Sequence, residues 1–322
     1  MKMSIRCLPS FVIATFLSAT ISAAEPQQVT VPGVDVTASG GAVKGTLILP
    51  KAAGKVPIVL LIAGSGPTDR NGNSRMLAGS NNSLKLLAEG LAENGIASLR
   101  YDKRGIGESA KITEADIRFD TYVEDAAAWC DQLRSDQRFS KIVIAGHSEG
   151  SLIGMIAAKR CKAAAFVSIS GAGRPAADLL RTQLAGKLPP DLADQSTAIL
   201  KSLEEGKTVE NVPQQLFALY RPSVQPYLIS WFKCDPRKAI AELGVPVLIV
   251  QGTTDIQVTV EEAKRLSLAN PRAKLLLVEG MNHVLKVVPD DRQKQLASYG
   301  DPALPLAPEI VPAIVQLVKS AP

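Results

Sequence analysis

A chain of 322 residues that is 46% hydrophobic and 21% charged holds enough apolar material for one large domain, with or without an insertion, and lacks the bias of a disordered, collagen-like or repeat sequence. Its formal charge of +5 is modest for the length and its Lys and Arg are scattered, which sets nucleic acid aside as a partner.

The first 24 residues differ from the rest. Lys2 and Arg6 precede an apolar run from Phe11 to Ala19, and small residues at Ser22 and Ala24 follow. That pattern reads as a secretory signal peptide cleaved after Ala24, leaving residues 25–322 as the mature chain in the periplasm or the medium. The run is shorter than the about 20 residues a bilayer span needs, and no later stretch replaces it, so no membrane span is expected in the mature chain.

From Val29 to Pro50, two strand-like runs flank Gly40-Gly41 and read as an entry hairpin. Pro57 to Ala63 is almost wholly apolar, as in a strand buried on both faces. It ends in the glycine-rich Gly64-Ser65-Gly66-Pro67, followed by a helix with leucines at 84, 87 and 91. Ile96 to Tyr101 is the next strand, closed by the charged turn Asp102-Lys103-Arg104-Gly105, and Tyr122 to Leu133 reads as a helix. Strands at Ile142–Ala145, Ala164–Ser170, Pro246–Gln251 and Lys274–Val278 continue the series, and Ile310 to Val318 reads as a final amphipathic helix. Alternation of this kind predicts an α/β fold whose mostly parallel sheet is covered by helices on both faces.

Between Gly173 and Asp235 the alternation stops. The stretch is proline-rich and ends in an apolar, aromatic cluster that includes Phe217, Tyr220, Tyr227 and Trp231. About 60 residues is too long for a plain connection, so a helical cap with those four aromatics on its substrate side is expected.

The chemistry starts at Gly146-His147-Ser148-Glu149-Gly150, a G-x-S-x-G sequence set between a strand and a helix. In that context the serine occupies a strained turn, flanked by glycines because nothing larger fits, and its hydroxyl is presented as a nucleophile. Only two histidines exist. His147 adjoins the nucleophile and cannot fold back to take its proton, which leaves His283, just past the strand at Lys274–Val278, as the base. Asp255, at the end of PVLIVQGTTD, lies between nucleophile and base in the order this architecture requires and is the candidate orienting acid. One oxyanion donor is the backbone N–H of Glu149; the other, from the loop after Pro57–Ala63, is assigned to Ser65. The glycine-rich loop lacks a P-loop lysine and dinucleotide-site spacing. No metal or organic cofactor is called for.

Cys130, Cys161 and Cys234 have no zinc-type spacing. They are either inert buried thiols or, since Cys130 and Cys161 lie on helices flanking one strand, a disulfide that leaves Cys234 free.

Assembled in this way, the chain resembles the α/β-hydrolase superfamily, and within it the exported bacterial esterase and serine-aminopeptidase-like branch, from about Val34 to Lys319. The marks are Gly64-Ser65-Gly66-Pro67 with Asp69-Arg70, the run Arg100 to Ser109, Gly146 to Gly150, Asp235-Pro236, Pro246-Val247-Leu248 with Gly252, Asp255 to Val258, and Asn282-His283. Two positions depart from the usual pattern. Ala63-Gly64 stands where His-Gly is common, and Ser151 where a second glycine is common. The resemblance implies a sheet of about eight strands with flanking helices and a cap at about 173–235. The expected activity is hydrolysis of a small-molecule carboxylic ester through an acyl-enzyme on Ser148. The clearest acid runs, Glu204-Glu205 and Glu261-Glu262, read as solvated helix positions rather than an anchor for a free amino terminus, which ranks peptide or amide hydrolysis second and thioester hydrolysis third. A binding protein on an inactive scaffold is the non-enzymatic alternative. Oligomeric state is not encoded in any of these features.

Overall fold

The structure is a computed structural model describing residues 26–35 and 41–322, and only the backbone of 29–35. The proposed signal peptide lies outside the described residues. The chain runs β1 (Gln27–Asp35), β2 (Ala42–Leu49), β3 (Val56–Ile62), α1 (Ser83–Glu93), β4 (Ala97–Tyr101), α2 (Phe119–Ser135), β5 (Phe139–His147), α3 (Glu149–Arg160) and β6 (Ala165–Ile169). It continues through α4 (Ala176–Leu184), α5 (Pro190–Glu204), α6 (Phe217–Tyr220), α7 (Gln225–Phe232) and α8 (Pro236–Ala241). It ends with β7 (Val247–Gly252), α9 (Val260–Ala269), β8 (Lys274–Val278), α10 (Arg292–Ser298) and α11 (Ile310–Ser320).

The strands form one eight-stranded sheet in the order β1-β2-β4-β3-β5-β6-β7-β8. The entry hairpin β1–β2 is antiparallel and meets β4 antiparallel; β4, β3, β5, β6, β7 and β8 are all parallel neighbours. Parallel strands buried on both faces explain the unbroken apolar runs. Along β3, Ile58, Leu60 and Ile62 enter one core with α2 and α3, while Val59 and Leu61 enter the other with α1 and α11. β5 starts at Phe139, earlier than its apolar run suggests, because Phe139 pairs with Val56 at the mouth of β3.

Gly173 to Asp235 carries no strand and folds into α4 to α7 with short turns between them. It shares the core of α2 and α3: Leu200, Leu203, Leu216, Tyr220 and Leu228 are buried in the same apolar cluster as Phe119 and Val123. Its entry is pinned by Glu262, which accepts from the Gly173 N–H at 3.0 Å and from Arg174 Nε at 2.7 Å. This corrects one expectation, since Glu262 is fully buried rather than solvated. Arginine and backbone donors supplied from far along the chain satisfy it, and nothing local in Glu261-Glu262 announces them. Cys130 and Cys161 form a disulfide, with Cα atoms 6.2 Å apart, that ties α2 to the end of α3; Cys234 is free. Among the described residues no helix is long and apolar enough to cross a membrane.

Candidate active site

β5 delivers Ser148 to the carboxyl edge of the sheet in a conformation few residues adopt, φ 55° and ψ −121°. The turn is possible only because its flanks are glycine. A Cβ on Gly146 would stand 2.0 Å from the Gly150 carbonyl oxygen, and one on Gly150 would stand 2.4 Å from that of Ile62. The Ser148 N–H is held by the Ile169 carbonyl at 2.9 Å. Glu149 opens α3, so its own N–H belongs to the helix end that lacks intrahelical acceptors. Above the serine lies the loop after β3: a Cβ on Gly64 would approach Ser148 Cβ to 3.2 Å, and Thr68 Oγ1 donates to the Ser65 carbonyl at 2.8 Å.

Asp255 and His283 come from loops after β7 and β8. The two loops are in close contact, for a Cβ on Gly252 would strike the Met281 carbonyl oxygen at 1.9 Å, and the Thr254 N–H donates to that carbonyl at 3.2 Å. Asn282 shapes the histidine loop by accepting from the N–H groups of Val284 and Lys286 at 3.1 and 3.0 Å. His283 Nδ1 meets Asp255 Oδ2 at 2.8 Å, which leaves Nε2 as the ring nitrogen available to a reacting group. Asp255 also accepts from the N–H groups of Gln257 and Val258 at 2.8 and 2.9 Å and from Gln251 Nε2 at 3.3 Å. Burial would raise its carboxyl, but the His283 imidazole and the two backbone donors outweigh burial and hold it below the usual range. The aspartate is therefore a fixed anion. A neutral His283 so anchored can take a proton and be stabilised as the imidazolium.

His147 backs this pair. Its ring lies 4.7 Å from that of His283, and its Nε2 contacts the His283 carbonyl at 2.8 Å, which fixes Nε2 as the donor. Burial first, and the neighbouring His283 second, lower the His147 pKa to about 3. It is a neutral strut, excluded as the base as its position in sequence suggests.

Ser148, Ser65 and Glu149 open onto a cavity of about 760 Å³ between the sheet edge and helices α4, α6 and α7. Tyr227 and Trp231 line it, whereas Phe217 and Tyr220 do not, which corrects half of the expected aromatic set. Leu216 and Tyr220, four residues apart, share the buried face of the α6 turn, with the Tyr220 hydroxyl bonded to Ser196 Oγ at 2.9 Å. Phe217, about 100° round the helix from Leu216, is 41% exposed, and Ala218 and Leu219 are the α6 residues that line the cavity.

A buried polar chain behind the serine escapes a reading of the sequence. Lys103 Nζ donates to Glu149 Oε2 at 2.9 Å and to the Gly64 carbonyl at 2.7 Å, and the Tyr227 hydroxyl donates to Glu149 Oε1 at 2.5 Å. The signal available was three consecutive charges at a strand end. All of them are buried, with Asp102 paired to Arg70 and Arg104 to Asp125. Among the described residues no group of three or more His, Cys, Asp or Glu is placed to hold a metal ion.

The family model described as serine aminopeptidase, S33 matches residues 76–287. Esterase EstD of Thermotoga maritima is 31% identical over 255 residues, covering 78% of this chain; the chain spans 59% of that relative's length. Among solved structures, Est1E from Butyrivibrio proteoclasticus, in a crystal with ferulic acid, aligns with a TM-score of 0.61 at 22% identity, covering 89% of this chain and 99% of its own. The α/β hydrolase GrgF from Penicillium sp. sh18 aligns at 0.60 and 17% identity, covering 92% and 99%. These likenesses are of fold, and they agree with the strand order and the mostly parallel sheet described above. With two thirds of its length inside the family model, from the loop before α1 to the histidine loop after β8, the chain belongs to the serine aminopeptidase S33 family of α/β hydrolases.

Proposed function

We propose that the protein hydrolyses small carboxylic esters by two-step acyl transfer. Ser148 Oγ attacks the ester carbonyl carbon while its proton passes to His283 Nε2, and Asp255 holds the imidazolium. Backbone N–H groups of Ser65 and Glu149 receive the tetrahedral oxyanion. Collapse expels the alcohol, which takes the proton from His283 and leaves the acyl group on Ser148. Water, deprotonated by His283, then attacks the acyl carbon, and a second collapse releases the acid and returns the proton to Ser148. The observation that carries this reading is the buried His283–Asp255 pair at 2.8 Å, at the same edge of the sheet as a serine held at φ 55°.

The esterase relatives support esters as the substrate class. A peptidase reading needs a free acid to anchor an amino terminus, and the two glutamates that line the cavity are both engaged. Glu149 is bound to Lys103 and Tyr227, and Glu114 is held by Arg221 and Ser223. In this reading the excursion at 173–235 is a cap that shapes the acyl site through Tyr227 and Trp231. Export by the leader at residues 1–24 is part of the proposal and rests on its sequence pattern.

The test is Ser148→Ala. Turnover of a p-nitrophenyl ester panel is expected to fall on the order of 10⁴-fold or more with the melting temperature kept, and a fluorophosphonate is expected to label the parent but not the variant. A variant that kept its rate would remove Ser148 from the mechanism.

A further inference from the structure

The polar chain behind Ser148 is buried, charged and unused by the mechanism above. Lys103 is 1% exposed and the Glu149 side chain 2%. Taking such a pair out of water costs about as much as its attraction returns, so its worth as a stabilising device is small. Where its ends attach is more telling. The Gly64 carbonyl that accepts from Lys103 Nζ at 2.7 Å is the other end of the same planar peptide unit that carries the Ser65 N–H. The carboxylate that accepts from Lys103 at 2.9 Å belongs to Glu149, whose backbone supplies the second N–H. One ammonium group thus grips both rims of the oxyanion site. The Tyr122 ring covers it, with its centroid 4.9 Å from Nζ.

We propose that Lys103 is a positioning residue of the oxyanion hole, tying the Gly64–Ser65 peptide to the residue after the nucleophile, and that Tyr227 carries the same tie to the helical excursion through Glu149. The inference rests on the ester-hydrolase reading. Two physical effects follow from the geometry. An ammonium on the Gly64 oxygen fixes the tilt of that peptide plane over Ser148, and it draws electron density toward the carbonyl, which strengthens the Ser65 N–H as a donor. Glu149, held from one side by Lys103 and from the other by Tyr227 in α7, fixes the first turn of α3 relative to the wall of the cavity. Burial, and then the carboxylate beside it, push the Tyr227 hydroxyl well above its ordinary range, so it stays a donor across the working pH.

The experiment compares an oxoester with its thionoester analogue in the full chain and in Lys103→Met, the double variant Lys103→Met with Glu149→Gln, and Tyr227→Phe. Sulfur accepts hydrogen bonds poorly, so a damaged oxyanion hole slows the oxoester far more than the thionoester, whereas partial unfolding slows both alike. Lys103→Met is expected to lower the oxoester kcat about 10- to 100-fold with KM within about twofold, somewhat less than removal of a hole donor outright. The oxoester-to-thionoester rate ratio should shrink with it, and Tyr227→Phe should move the same ratio in the same direction by a smaller factor. Should the single Lys103 variant fail to fold because Glu149 is left buried and unpaired, the double variant, which removes both charges at nearly constant volume, decides. A folded double variant with the parental ratio overturns the inference while a dead Ser148→Ala leaves the ester reading standing. An active Ser148→Ala overturns both.

Discussion

His147 is one residue from the nucleophile, yet its contribution is to stability and alignment rather than to proton transfer. Held neutral down to a pKa of about 3 by burial, it keeps an N–H on the His283 carbonyl throughout the range in which the enzyme would work. The unfolded chain has an ordinary histidine there, near 6.5. Between those values the unfolded state binds a proton that the folded state refuses, so folding stability is expected to drop as pH falls from about 6.5 toward about 3. His147→Gln keeps a donor for the His283 carbonyl but cannot titrate. Its urea midpoint, measured at pH 7, 5 and 4, should decline less steeply than the parent's, and parallel declines would contradict the assignment. Because His147 does not charge above about 3, it should add no step of its own to the acid limb of kcat/KM.

At the scale of elements, α7 is the one through which the proposed acyl site would be shaped. It places Tyr227 and Trp231 on the cavity and stacks Trp231 on Phe119 of α2, ring centroids 6.1 Å apart and planes within 3°. If this wall receives the acyl chain, each added methylene gains up to about 0.8 kcal/mol, or about fourfold in kcat/KM, until the cavity is full. Trp231→Ala should flatten that rise. Phe217→Ala, on the exposed side of the α6 turn, should leave the profile as it is, and this pair separates the cavity wall from general loosening of the cap. A parental profile in Trp231→Ala would mean that α7 merely roofs the core. The Cys130–Cys161 disulfide acts at the C-terminal end of α3, where closing a 31-residue separation contributes roughly 3–4 kcal/mol in the chain-entropy account.

Across the whole molecule, the apolar cluster on the α2–α3 face runs without a break from β2 into α5, α6 and α7. An excursion that shares its core with the sheet should not unfold alone. The chain has two tryptophans, which makes this measurable: Trp129 is buried in α2 and Trp231 is half-buried in α7. Among the described residues Trp129 Nε1 has no hydrogen-bond partner, so Trp129→Phe strands none of their polar groups and leaves Trp231 as the sole reporter of the excursion. Its fluorescence transition in urea is expected to coincide with the far-UV circular dichroism of the sheet and helices. Two separated midpoints would make the excursion an independent unit.

The order of elements and the elbow were legible from the chain alone, and the sequence was enough to propose Ser148, His283 and Asp255 as a triad. Their signals are local: an unbroken apolar run for a strand buried on both faces, glycines where no Cβ fits, and one histidine left once His147 is set aside by position. The pairing of Cys130 with Cys161 was likewise within reach, because both flank one strand. Side-chain direction in short helices was not. Phe217 and Tyr220 look alike in an aromatic cluster, and only packing decides that Tyr220 is sealed in the core while Phe217 meets solvent. Charged residues were hardest to read, since Glu262, Lys103 and Glu149 resemble surface positions until partners 88, 46 and 78 residues away in sequence arrive to neutralise or bond them. A charge can enter the interior only with its partner, and the sequence does not print which partner that is; the tertiary structure alone brings the two together.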